Sequence, residues 1–267
     1  MLLYIYKVAL RIRGQASEVG MNGAKPMRWP QSLMFSAAFV ALVVIAVVSV
    51  AWAPAMAAVA CPGCYGLERM TRDILVDAKM PEHKRRALLN SVAAAEDSVI
   101  GFFGTLNRRP IVLACEEEIC DRRLGGRGAR ATTYSTWRFS VVRLSPQGLN
   151  KMIIAHEFSH VQIHAKIGLF NQLRGVVPAW FDEGLAVIIS DDDRYLKPGT
   201  SSAVRCRPTP EAQLPVSPFD WGPLSGKTPW IYAAAACRVL LWMEANGGRL
   251  GLLAAVDEVA AGRRALP

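Results

Sequence analysis

Within this 267-residue chain, His156-Glu157-Phe158-Ser159-His160 holds the residues best spaced for chemistry. Two histidines four positions apart on a helix stand one above the other on a single face, so both imidazoles reach one ion. Glu157 sits one position round from His156, placed to act on a water held by that ion without ligating it. The flanking Ile153, Ile154, Ala155, Phe158 and Val161 are apolar. The polar residues of the motif are therefore expected to be buried, which is costly unless they have partners or a function. The pattern reads as a Zn2+ site on a helix.

An open catalytic zinc site needs a third protein ligand and keeps one position for water. Six residues past His160 stands Lys166, which excludes the longer histidine motif that places its third ligand there. His164 continues the four-residue series, but three ligands along one straight helix from His156 to His164 would span about 12 Å. That exceeds what one ion bound at ~2 Å bridges, so His164 is assigned a supporting role. The stronger candidate lies in Val177-Pro178-Ala179-Trp180-Phe181-Asp182-Glu183-Gly184-Leu185-Ala186. A carboxylate in the first turns of a helix opened by Pro178 can face back toward the histidine helix.

HEFSH followed by PAWFDEGLA resembles the gluzincin metallopeptidases, specifically the peptidase MA-like group, with its tryptophan and glutamate–glycine pair on a second helix. The resemblance covers about residues 95–262, its specific motifs only 151–187. It implies a zincin-like α+β domain with a small sheet beside the motif helix and a helical C-terminal part. It also implies zinc ligands His156, His160 and Glu183, Glu157 as general base, and hydrolysis of a peptide or protein substrate. Two further expectations come with it: a strand at Trp137–Leu144 that aligns an extended substrate, and Tyr232 as the donor that stabilises the oxyanion. Thermolysin-type relatives carry an aspartate four positions after the glutamate, where this chain has Val187. The group that orients a ligating histidine therefore comes from elsewhere, with Asp182 or a backbone carbonyl as candidates.

The elements that must position these residues are legible in outline. Apolar spacing predicts helices over 65–80 and 82–104, separated by Pro81. A short strand is expected at 109–114 and a second over 133–144, where aromatic and β-branched residues mix. Further helices are expected at 149–168, 179–190, 229–247 and 250–262, with 191–229 as loop. Residues 121–131, with three glycines and four arginines, read as an exposed loop. No aromatics are interleaved with those arginines, so no nucleic-acid partner is expected.

Net charge is +9, but residues 1–60 contribute +4 of it, from five bases against Glu18, which leaves +5 on the remainder. Residues 33–53 are uncharged, and 21 residues at ~1.5 Å each span about 30 Å of hydrocarbon. The basic flank upstream predicts one N-terminal hydrophobic helix in the cell membrane, with everything after Ala60 outside the cytoplasm. Small residues at 55–60 also fit a signal-peptidase site, the alternative being secretion after cleavage. The expected organisation is a basic segment at 1–32, an anchor or signal segment at 33–60, and an exported metallopeptidase domain at 61–267. All 6 cysteines follow the apolar segment, as expected for disulfides on the oxidising side. Six cysteines permit 15 pairings and spacing leaves the connectivity open: Cys115 and Cys120 are close enough to staple a loop, Cys61 and Cys64 to form a structural bridge or a redox pair, and Cys206 with Cys237 could tie a long loop to a helix. The competing function class is a catalytically inactive zincin-like domain that serves as an envelope binding or assembly factor.

Overall fold

A computed structural model describes residue 40 and residues 53–211, 213–263 and 266–267. The chain divides into two units, Met1–Val47 and Val48–Pro267, and the elements below belong to the second. In order they are α1 (Pro54–Ala60), β1 (Leu67–Arg69), β2 (Ile74–Asp77), α2 (Glu82–Phe103), β3 (Ile111–Ala114), α3 (Glu118–Arg123), β4 (Ala131–Ser135) and β5 (Ser140–Leu144). They continue with α4 (Lys151–Leu173), α5 (Ala179–Ser190), α6 (Ser202–Arg205), α7 (Pro218–Lys227), α8 (Ile231–Ala245) and α9 (Gly248–Ala260). The architecture is α+β. Among the described residues no helix is long and apolar enough to cross a membrane. The expected 33–53 helix lies outside the described residues except for Val40 and Ala53.

The sheet has strand order β1-β2-β3-β5-β4, with β2, β3 and β5 parallel and β1 and β4 antiparallel at the two edges. Its middle strand β3, Ile111-Val112-Leu113-Ala114, is an unbroken apolar run because both faces of the sheet are covered. Val76, Val112, Ala114, Val142 and Leu144 point into the main core with α2 and α4, whereas Leu75, Leu113 and Val141 point into a second cluster. Ala55 and Ala58 of α1 and Leu124 after α3 close that second cluster. Arg143 is buried on the same side, where Asp121 and Thr132 partner its guanidinium.

Several expectations are corrected. Residues 65–80 form β1 and β2 rather than a helix, because Gly66 turns the chain at φ 73° and the Ile74-Leu75-Val76 run pairs with β3. The predicted strand 133–144 is a hairpin, with β4 and β5 on either side of a turn at 136–139. The loop expected at 191–229 contains α6 and α7, and α3 opens the one expected at 121–131. The cysteines lie at bonding distance as Cys61–Cys64, Cys115–Cys120 and Cys206–Cys237, the last joining a loop to α8.

Candidate metal centre

The motif helix α4 starts at Asn150, whose side chain accepts a hydrogen bond from Ile153 N at 3.1 Å and caps one of the free amides of the first turn. Its apolar residues are buried around the helix, and Glu157 and His160 are buried with them, at 8% and 7% exposure. Helix α5 begins after Pro178. Its free N-terminal amides are taken by the 215–216 segment: Ala179 N donates to Val216 O and Trp180 N to Pro215 O. That leaves Asp182 and Glu183 in the first turns, where the helix dipole favours negative charge. Gly184 then lets α8 pack directly on α5, since a Cβ there would stand 2.5 Å from Ala235 O.

These two helices interleave three histidines with two acids. His156, His160 and His164 form a line at four-residue spacing, and each acid sits between two successive rings. Glu183 Oε2 is 3.2 Å from His156 Nε2 and 3.7 Å from His160 Nε2. Asp182 Oδ2 is 3.0 Å from His160 Nδ1 and 3.0 Å from His164 Nε2. Ligand atoms held at 2.0–2.1 Å around a tetrahedral zinc ion stand about 3.3 Å apart. The two Glu183 distances bracket that value, and the two imidazoles and carboxylate are the donor set that zinc takes. His156, His160 and Glu183 therefore fit the metal expected from the motif. His160, His164 and Asp182 form a second close group, but its hydrogen bonding gives it a different role.

His164 Nδ1 meets the Ser135 hydroxyl at 3.0 Å and the Gln172 amide nitrogen at 3.1 Å. The Gln172 NH2 can only donate, so Nδ1 accepts, and the ring proton sits on Nε2 facing Asp182. Asp182 thus takes a proton contact from His164 while pairing with His160 Nδ1, an ion-pair contact rather than a well-aligned hydrogen bond. With its proton on Nδ1, His160 presents Nε2 as the lone pair for a metal. Burial penalises charge on Asp182, but His160 and then His164 outweigh it and hold the carboxyl well below its ordinary range. Burial likewise opposes a charged His160, yet Asp182, then Glu183 and Glu157, push it up to about 10 in the metal-free site.

Glu157 is held from the sheet. Thr133 Oγ1 on β4 donates to Glu157 Oε2 at 2.7 Å. Among the described residues, the other carboxyl oxygen has no protein hydrogen bond. Thr133 and Ser135 lie two apart on one strand, so both face α4, and one touches Glu157 while the other touches His164. The strand that flanks the motif helix is therefore β4, not Trp137–Leu144. β5 is paired on both sides, by β3 and β4, whereas the outer edge of β4 is unpaired among the described residues.

Tyr232 on α8 packs its ring edge-on against His156, with centroids 6.2 Å apart. Tyr195 stacks on it at 5.0 Å, and Trp221 meets it edge-on at 5.2 Å. Burial first, and the Glu183 carboxylate second, push the Tyr232 phenol above its usual range, although Trp221 and Ser225 approach its hydroxyl. The expected residues His156, Glu157, His160, Glu183 and Tyr232 are thus brought together. Sequence reasoning missed Thr133, Ser135, Gln172, Tyr195 and Trp221. The strand alternation that puts Thr133 and Ser135 on one face was available, but its direction was not.

No protein-family model, curated protein sequence or solved structure matches this chain.

Proposed function

We propose that this chain is a zinc-dependent peptide-bond hydrolase of the gluzincin type. In this reading it acts outside the cytoplasm on a protein or peptide, tethered to the membrane through residues 33–53. One observation carries the reading: Glu183 Oε2 lies 3.2 and 3.7 Å from the Nε2 atoms of His156 and His160, with Glu157 buried beside them and anchored by Thr133.

His156 Nε2, His160 Nε2 and Glu183 Oε2 would hold the metal. Bound there, zinc supplies Lewis-acid polarisation of a carbonyl and lowers the pKa of water toward ~7. The protein does the rest. Asp182 keeps the His160 proton on Nδ1, so Nε2 is available as a ligand. Glu157 accepts the proton of the attacking water on the carboxyl oxygen that Thr133 leaves free, and passes it to the leaving amine. Tyr232 keeps its phenolic proton and serves as a donor to the oxyanion that develops as the carbonyl is attacked. The free edge of β4 offers main-chain hydrogen bonds to an extended substrate, which would set its register against Thr133 and Glu157.

The deciding experiment is Glu157→Gln, with zinc content and cleavage of an unbiased peptide pool both measured. The variant is expected to keep its zinc and lose turnover, while the parent has both. A parent chain that binds zinc but cleaves nothing would favour the envelope binding or assembly role instead.

A further inference from the structure

We infer that the tip of the β4–β5 hairpin and the distal turn of α4 form one lipid-facing surface that seats the domain on an anionic bilayer. His164 joins the two segments, because its Nδ1 is met by Ser135 at the end of β4 and by Gln172 on α4. Trp137 lies two residues past Ser135, and Phe170 and Leu173 flank Gln172. All three are exposed, at 72%, 72% and 63%, and Phe139 adds a fourth apolar side chain at 38%. Gly168, at φ 77° and ψ 156°, breaks the helix between His164 and Gln172. On the turn that follows, Gln172 faces His164, so Phe170 and Leu173 project away from it.

The chemistry of this patch suits an anionic lipid surface. Arg138 stacks over the Trp137 ring at 5.2 Å and Arg174 over the Phe170 ring at 5.6 Å, so each exposed aromatic carries a cation on its face. Neither segment, 136–139 or 169–175, contains an acidic residue. Aromatic rings paired with arginines suit the headgroup layer, where the ring enters the apolar boundary and the guanidinium meets phosphate. The tip is also built to hold its shape. Arg108 donates to the carbonyls of Thr136 and Trp137, and the Thr136 hydroxyl accepts from the amides of Arg138 and Phe139. A rigid loop that presents a tryptophan to solvent loses little conformational entropy on inserting it. The choice of lipid over a protein partner rests on the proposed membrane tether; the patch itself does not.

The test uses the full chain with vesicles of phosphatidylcholine containing phosphatidylglycerol, a fraction of the acyl chains being brominated to quench nearby tryptophans. Emission lost in Trp137→Phe isolates Trp137, and Trp52→Phe reports the 33–53 segment separately. Trp137 emission is expected to be quenched in these vesicles, and replacing Arg138 and Arg174 together by Ser is expected to cut that quenching to about half or less. Unquenched Trp137 overturns the inference, and if Trp52 is quenched in the same sample the tether survives without it. Quenching of Trp137 but not Trp52 supports the patch and removes the tether. Quenching that is equally strong in pure phosphatidylcholine and after the double arginine change overturns the role given to charge, and with it the anionic surface.

Discussion

Thr133 Oγ1 donates a 2.7 Å hydrogen bond to Glu157 Oε2, tying the edge strand of the sheet to the proposed general base on the motif helix. The bond sets the carboxyl plane and occupies one oxygen, leaving the other for proton transfer. Thr133→Val keeps the shape and removes the donor. Losing one hydrogen bond to a charged group corresponds to ~1.5–3 kcal/mol, so kcat is expected to fall by about 10- to 100-fold. Zinc content and KM should hold. A variant with unchanged kcat would leave Thr133 only a packing role.

Asp182 bridges His160 Nδ1 and His164 Nε2 at 3.0 Å each, a geometry that only a carboxylate suits on both sides. In Asp182→Asn the amide NH2 would oppose one of the two ring N–H groups, freeing His160 to turn. Zinc affinity, read by competition with a chromophoric chelator, is expected to drop about 10- to 100-fold. Glu183→Ala should bind far more weakly still, since it removes a proposed ligand rather than a support. Equal affinity in Asp182→Asn and parent would remove the orienting role.

How far the sequence carried these relationships differs from element to element. Pro178 and the apolar run after it place α5 at Ala179–Ser190, as expected, and the four-residue histidine spacing falls on α4, where the candidate site is built. The helix expected at 65–80 failed for a physical reason: a short run such as Ile74-Leu75-Val76 has no period of its own, and its pairing with Val112–Ala114 of β3 decides the outcome. The same non-local pairing hid Thr133. Strand alternation puts Thr133 and Ser135 on one face, but only the sheet order, with β4 outside β5, turns that face toward α4. Gln172 was hidden for another reason, since the helix was expected to end at 168, whereas a further turn after the break at Gly168 returns Gln172 to His164.

Removing the metal should expose a pH dependence that has a definite sign. Burial disfavours a charged His160, but Asp182, Glu183 and Glu157 override it and lift the folded-state value from 6.5 to about 10. A raised folded value means that this contribution to stability is fully present below pH 6.5 and lost as pH rises through about 10. The chelator-treated chain should therefore unfold at lower urea concentrations as pH is raised across that window. Loaded with zinc, His160 has no proton on Nε2 to lose, so the zinc-loaded chain should show a flatter profile. A metal-free profile that is flat, or that rises with pH, would contradict the ion pairing around His160.

Gly184 decides how closely the helix carrying Glu183 approaches α8. A Cβ at this position would stand 2.5 Å from Ala235 O, 2.6 Å from Ala235 C and 3.0 Å from Ala236 N, all backbone atoms that cannot rotate away. Gly184→Ala must therefore push α5 and α8 apart, and overpacking of this kind costs typically ~1–3 kcal/mol. The displacement acts at both ends of the proposed site, because α5 carries Asp182 and Glu183 while α8 carries Tyr232. Lower thermal stability is expected together with weaker zinc binding, even though alanine is the better helix former. Destabilisation with unaltered zinc affinity would mean that the helices separate without moving the carboxylates. A Gly184→Ala chain as stable as the parent would show that the close α5–α8 contact is not what demands glycine beside Glu183.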